Sequence, residues 1–199
     1  METIVIGLVG SHGVGKTTVA EHIERRCHGQ TQIYTPLLSL RKLAQQIPLQ
    51  DWRDTLSEIR RCLEVRWGDQ AIARRIAARI KRKILREKFP IIVIDGVQTE
   101  AEAQVFRQEF PNFTLLCIEA KRDTRLEFIR RRAETRRDKR MDRSEITRLD
   151  QLWSQRDVLK LAPSADYVIS NHGTLDKLLD RTEEVIQLAG VSARLNSTG

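Results

Sequence analysis

The octapeptide Gly10-Ser11-His12-Gly13-Val14-Gly15-Lys16-Thr17 follows the apolar run Ile4 to Val9 directly and opens the helical pattern Val19-Ala20-x-x-Ile23. The spacing G-x-x-x-x-G-K-[ST] between a strand and a helix constrains the fold more than any other feature of the chain. Gly10, Gly13 and Gly15 remove the Cβ restriction, so successive backbone N–H groups turn inward at a helix N-terminus and form a cradle for an anion. In such a cradle Lys16 reaches the β- and γ-phosphates of a nucleoside triphosphate. Thr17 holds Mg²⁺ through its hydroxyl, and Thr18 contacts the α-phosphate from the first helical turn. Ser11, His12 and Val14 fill the variable positions and shape the loop, which is the reading given to His12 in place of a catalytic one.

A motif of this kind needs a parallel sheet behind it, and the chain supplies one. Short apolar runs alternate with longer segments of helical period, the pattern of βαβ units with helices on both faces of the sheet. The expected strands are Ile4 to Val9, Gln32 to Tyr34, Ile91 to Ile94, Phe113 to Ile118 and Asp166 to Ile169. The unbroken Ile-Ile-Val-Ile at 91–94 reads as a strand buried on both faces. Residues 35–88 carry no strand signal and predict two or three helices, with Pro48 separating the first two. Ile72, Ile76, Ile80 and Ile84 recur every four residues among Arg74, Arg75, Arg79, Lys81, Arg82, Lys83, Arg86 and Lys88, which predicts an amphipathic helix with a basic outer face. One domain over residues 1–190 and a frayed tail over 191–199 complete the expected organisation.

Composition narrows the function. Thirty-five Lys and Arg stand against 27 Asp and Glu in 199 residues, a formal net charge of +8. The pI of about 9.8 signals a polyanionic partner, either nucleic acid or a phosphorylated small molecule. The sequence has no apolar run of about 18 residues and no secretory leader at Met1, so it reads as a cytoplasmic protein without a membrane span. Cys27, Cys62 and Cys117 lack CxxC spacing and read as small hydrophobes rather than a disulfide framework or zinc site.

Two further elements bear on chemistry. Asp95 ends the third strand, and in parallel sheets ligands bind beyond the carboxyl ends of the strands, so its carboxylate faces the crevice that holds the phosphate loop. It is suited to orienting a Mg²⁺-bound water or to accepting a proton from the phosphoryl acceptor; the alternative is a cap on the turn at Gly96-Val97. Between Lys121 and Arg143 stand eleven Lys or Arg and five Asp or Glu, with Arg130, Arg131, Arg132, Arg136, Arg137, Lys139, Arg140 and Arg143 expected in a loop. Residues 130–143 read as a basic lid over the transferring phosphoryl group, the alternative being a solvated face paired with Asp138 and Asp142.

Together the loop Gly10–Thr17, Val93-Ile94-Asp95-Gly96-Val97, Leu115-Leu116-Cys117-Ile118-Glu119-Ala120, the arginine-rich segment and Ala165-Asp166-Tyr167-Val168-Ile169-Ser170-Asn171-His172-Gly173-Thr174-Leu175 resemble the dephospho-CoA kinase-like branch of the nucleoside monophosphate kinase superfamily. The likeness spans nearly the whole chain and is nearest to small nucleotide-kinase-like proteins of unassigned substrate. It implies a P-loop NTPase three-layer α/β sandwich whose five parallel strands run in the order 2-3-1-4-5. It implies ATP and Mg²⁺ at Gly10–Thr18, adenine beside Asn171-x-Gly173, a lid carrying Arg132, Arg136, Arg137 and Arg140, and helices within 35–88 covering the acceptor.

Two departures fall on the acceptor side. Tyr34-Thr35-Pro36 has no carboxylate where many relatives place one, and Gln98 stands where some have an arginine that grips the acceptor's phosphate. Arg41, Arg53, Arg60 and Arg66 are the available substitutes. The function expected is therefore ATP- and Mg²⁺-dependent phosphoryl transfer to a small, nucleotide-like acceptor. The rival is an NTP-binding or ATPase regulatory protein, or one that binds nucleic acid. Only ten aromatic residues are present and none forms an interleaved aromatic-basic patch, which weighs against the nucleic-acid reading.

Overall fold

The computed structural model describes residues 3–27, 30–36, 52–87, 89–136, 144, 147, 151 and 158–190. Pro48, Arg41, residues 137–143 and the tail at 191–199 lie outside them. Strands β1 (Ile4–Val9), β2 (Thr31–Tyr34), β3 (Ile91–Asp95), β4 (Phe113–Glu119) and β5 (Tyr167–Ser170) form one parallel sheet in the order β2-β3-β1-β4-β5. Around it stand helices α1 (Lys16–Arg26), α2 (Trp52–Trp67), α3 (Ala71–Arg86), α4 (Glu100–Glu109), α5 (Arg122–Arg136) and α6 (Leu175–Leu188), with a 3₁₀ turn at Val158–Ser164.

Alternation along the strands sorts the core into two halves. Val5, Val9, Ile92, Ile94, Leu115 and Cys117 face one side, where Ile72, Ile76 and Ile80 of α3, Phe106 of α4 and Leu161 of the 3₁₀ turn cover them. Ile4, Ile6, Leu8, Ile91, Val93, Leu116 and Ile118 face the other, under Val19 and Ile23 of α1 and Leu178 and Ile186 of α6. Each buried isoleucine contributes roughly 1.5–3 kcal/mol of transfer free energy, so strands apolar on both faces make this a three-layer sandwich rather than an open sheet. Gly7 in β1 leaves room for a neighbour: a Cβ there would lie 2.7 Å from the Phe113 ring.

The strand boundaries differ from the sequence reading by a residue or so, and one difference has a clear cause. Asp166 stands just before β5, where its carboxylate accepts a 2.6 Å hydrogen bond from the Leu115 N–H and its own N–H donates to Leu115 O. Arg130, Arg131, Arg132 and Arg136 lie on α5 and not in the loop expected for them. The polar stretch Arg-Arg-Arg-Ala-Glu-Thr-Arg has no helix breaker, and Arg131 pairs with Glu127 one turn earlier. Of the three cysteines Cys27 and Cys117 are buried, while Cys62 is exposed on α2 and is no core hydrophobe.

Candidate active site

The sheet order places β1 between β3 and β4, and the loop leaving β1 opens beside the end of β3, where Leu8 is in register with Asp95. Gly10 (φ 146°), Gly13 (φ 81°) and Gly15 (φ 103°) lie in a region that L side chains rarely adopt. Close packing makes the same demand at Gly10, where a Cβ would stand 2.1 Å from Ile118 O. At Gly13 it would stand 2.8 Å from the Ile129 side chain of α5. The loop is therefore clamped between β4 and α5, and α1 starts at Lys16 with no acidic residue in its first turn to compete for an anion.

Lys16 turns back across this loop, its Nζ donating to Gly10 O at 2.8 Å and Ser11 O at 2.9 Å. Burial of the ammonium lowers its pKa to about 8; the Asp95 carboxylate opposes the shift and the Arg125 guanidinium adds to it. Thr17, one residue further, donates from Oγ1 to Asp95 Oδ2 at 3.1 Å. At the turn that follows, the N–H groups of Gly96 and Val97 donate to Leu8 O, and Thr99 caps α4 by accepting from the Glu102 N–H.

Asn171 lies beyond β5, buried, with Nδ2 donating to Val14 O at 2.9 Å, so it braces the phosphate loop from the side of β5. Gly173 is exposed two residues on. Ser11, His12 and Thr18 are half-buried around the loop, and Val14 is buried beneath it. Arg132 and Arg136 sit on the last turns of α5, and Arg137 and Arg140 lie outside the described residues.

Two arginines have structural roles that sequence reasoning did not assign. Arg125 of α5, only 6% exposed, donates from Nη1 to His12 O at 3.2 Å and carries its charge to the phosphate loop. The available signal was its place beside Leu126 and Ile129 on the inward stripe of an otherwise polar helix. Arg60 of α2, 1% exposed, donates from Nη1 to Gln98 Oε1 at 2.9 Å and from Nε to Glu64 Oε1 at 3.0 Å, and it pairs with buried Glu102. Glu102 also accepts from the Gln98 N–H at 2.8 Å. Arg60, expected as a possible grip for the acceptor's phosphate, is thus committed to two carboxylates and the amide of Gln98.

A phosphate loop at the central strand of a β2-β3-β1-β4-β5 parallel sheet defines a P-loop NTPase of kinase-like fold. The chain belongs to the AAA_18 family of AAA domains, whose family model matches residues 6–150. It is similar to the UPF0200 protein of Thermococcus gammatolerans, 24% identical over 191 residues with 94% of each chain covered. It is also similar to a UPF0200 protein of Pyrococcus horikoshii, 27% identical over 187 residues with 92% and 96% covered. Among solved structures it resembles TT1252 from Thermus thermophilus, at TM-score 0.62 and 18% identity with 94% of this chain and 98% of that one covered. A sugar kinase from Janibacter sp. HTCC2649 follows at TM-score 0.60 and 17% identity, with 97% and 98% covered. Shikimate kinase from Acinetobacter baumannii in complex with shikimate stands at TM-score 0.54 and 16% identity, with 96% and 94% covered. At these identities the structural likeness is one of fold. Among the described residues no helix is long and apolar enough to cross a membrane.

Proposed function

We propose that the protein is an ATP- and Mg²⁺-dependent phosphotransferase that moves the γ-phosphoryl group of ATP to a small nucleotide or nucleotide-like acceptor in the cytoplasm. The 3.1 Å contact between Thr17 Oγ1 and Asp95 Oδ2 carries this reading, because it joins two hard oxygen donors at the mouth of the phosphate loop. The site fits the implied groups: the positive-φ glycines suit a polyphosphate, and a hydroxyl beside a carboxylate suits Mg²⁺. Thr17 and Asp95 would hold the Mg²⁺, and the chemistry it would supply there is neutralisation of charge on the transferring phosphoryl group. Gly10, Ser11, His12, Gly13, Val14 and Gly15 cradle the phosphates, and Lys16 exchanges the carbonyls of Gly10 and Ser11 for phosphate oxygens. Thr18 takes the α-phosphate. Arg132, Arg136, Arg137 and Arg140 stabilise the charge spread over the transferring oxygens, and Asn171 and Gly173 border the adenine. The neighbours named as sugar and shikimate kinases support small-molecule phosphoryl transfer on this fold.

A screen with γ-labelled ATP against nucleoside monophosphates, deoxynucleotides and dephospho-CoA tests the proposal, the expected result being label on one acceptor class. Residues 1–190 would act as one domain in this reading. The engagement of Arg60 by Glu64, Glu102 and Gln98 favours a second reading, an ATPase or regulatory NTP-binding protein without a phosphate-gripping acceptor site. Label released only as inorganic phosphate, whatever acceptor is present, would select that second reading.

A further inference from the structure

The basic outer face of α3 lies apart from the phosphate loop and has no part in the proposed transfer. Helix α3 carries seven Lys or Arg and no acidic residue over Ala71–Arg86. Arg75, Arg79, Arg82 and Arg86 are all exposed, and their spacing of four, three and four residues aligns them in one stripe along the helix. Two of the lysines beside the stripe have carboxylate partners, Lys81 with Glu109 and Lys83 with Glu87. The stripe arginines differ. Arg79 lies over the Tyr34 ring at 5.8 Å, Arg82 donates to Ala78 O of its own helix, and none of the four meets a carboxylate among the described residues. Four guanidinium groups thus stand aligned with no ion-pair partner among the described residues.

We propose that this arginine stripe is a docking surface for the phosphate backbone of a nucleic acid. Eleven residues of helix rise about 16 Å, the length over which one nucleic-acid strand presents about five phosphates, so the line of four cations has enough phosphates alongside it for each to take one. Guanidinium forks bind phosphate oxygens bidentately, and arginines rather than lysines make up the stripe. The apolar face of α3 is already spent on the core, with Ile72, Ile76 and Ile80 buried against the sheet. It is not available to insert into a bilayer, which favours nucleic acid over an anionic membrane.

The test is fluorescence anisotropy of the full chain with a labelled 20-nucleotide RNA and the corresponding duplex, titrated at several salt concentrations. Four phosphate contacts predict a log–log slope of about −3.6 for a duplex and about −2.8 for a single strand, a loss of roughly 150-fold and roughly fiftyfold respectively between 50 and 200 mM salt. The variant R75Q/R82Q/R86Q is predicted to bind weakly with a slope below about −1 in magnitude and an unchanged thermal unfolding curve. R25Q/R26Q/R181Q removes the same charge from α1 and α6 in the opposite layer and is predicted to keep the wild-type slope. Lys16→Ala is predicted to bind nucleic acid as the wild type does, which separates this test from that of phosphoryl transfer. The proposal is overturned by absent binding at 50 mM salt, by equal losses in the two triple variants, by a stripe variant with the wild-type slope, or by displacement of the RNA by anionic vesicles.

Discussion

At the scale of single residues, Lys16 makes the most specific demand. Its ammonium is partly withdrawn from water and its pKa is lowered to about 8, whereas a polyphosphate beside it favours the charged form. Nucleotide binding is therefore predicted to take up a proton above about pH 8 and to weaken as pH rises further; calorimetry in buffers of different ionisation heat measures that uptake. Lys16→Met removes it. Affinity that rises with pH through this window would contradict the assignment. The same shift acts on the fold. Between about pH 8 and 10.5 the unfolded lysine holds a proton that the folded one has lost, so this residue's contribution makes the protein more stable as pH rises there. Arg125 is the second case. Replacing it by Gln removes a buried charged donor to His12 O, worth roughly 1.5–3 kcal/mol, and a titration of ATP binding should show about a ten- to hundredfold loss, partly restored in Arg125→Lys. Unchanged affinity in Arg125→Gln would mean that His12 O needs no such support. Asn171→Ala leaves Val14 O without its 2.9 Å donor and should cost about 1–3 kcal/mol in chemical denaturation, whether or not adenine lies beside it.

At the scale of elements, the buried cluster of Arg60, Glu102 and Gln98 ties α2 to the turn that follows β3, and so to the strand that ends in Asp95. Arg60→Met would strand a carboxylate that is 1% exposed by residue, which costs about 3–5 kcal/mol. The double variant Arg60→Met with Glu102→Leu should regain most of that loss, because the pair's attraction only offsets what burying two charges costs. Urea titrations of the two single variants and the double variant form the cycle that measures this, and additive losses would show that the two side chains are not coupled. Helix α5 has a different role: Arg125 and Ile129 meet the phosphate loop at His12 O and Gly13, while its far end carries Arg132 and Arg136. A single helix thus joins the phosphate loop to the arginines proposed to close over it.

At the scale of the whole molecule, the parts legible in the sequence are those whose physics is local. The glycines and Lys16 of the loop, the doubly buried strands and the four-residue isoleucine rhythm of α3 each declare themselves within a short window. Arg60 and Arg125 do not: Arg125 shares the inward stripe of Leu126 and Ile129, but no short window shows the distant group that either guanidinium meets. Their partners lie 42 and 113 residues away, at Glu102 and at His12 O. The acceptor side was read least well for the same reason, because Gln98 acquires its meaning only when Arg60 is seen against it. Among the described residues part of the basic excess lies on α5, whose first turns meet the phosphate loop and whose far end carries Arg132 and Arg136, and part on the outer face of α3. The central claim is that Lys16, Thr17 and Asp95 make one phosphoryl-transfer site. Its most direct measurement is single-turnover transfer from γ-labelled ATP, with and without Mg²⁺, in the wild type, Lys16→Ala and Asp95→Asn. Label on the acceptor only with Mg²⁺, falling by about a hundredfold or more in both variants, is the predicted result. Transfer at the wild-type rate by Lys16→Ala, or transfer indifferent to Mg²⁺, would contradict it.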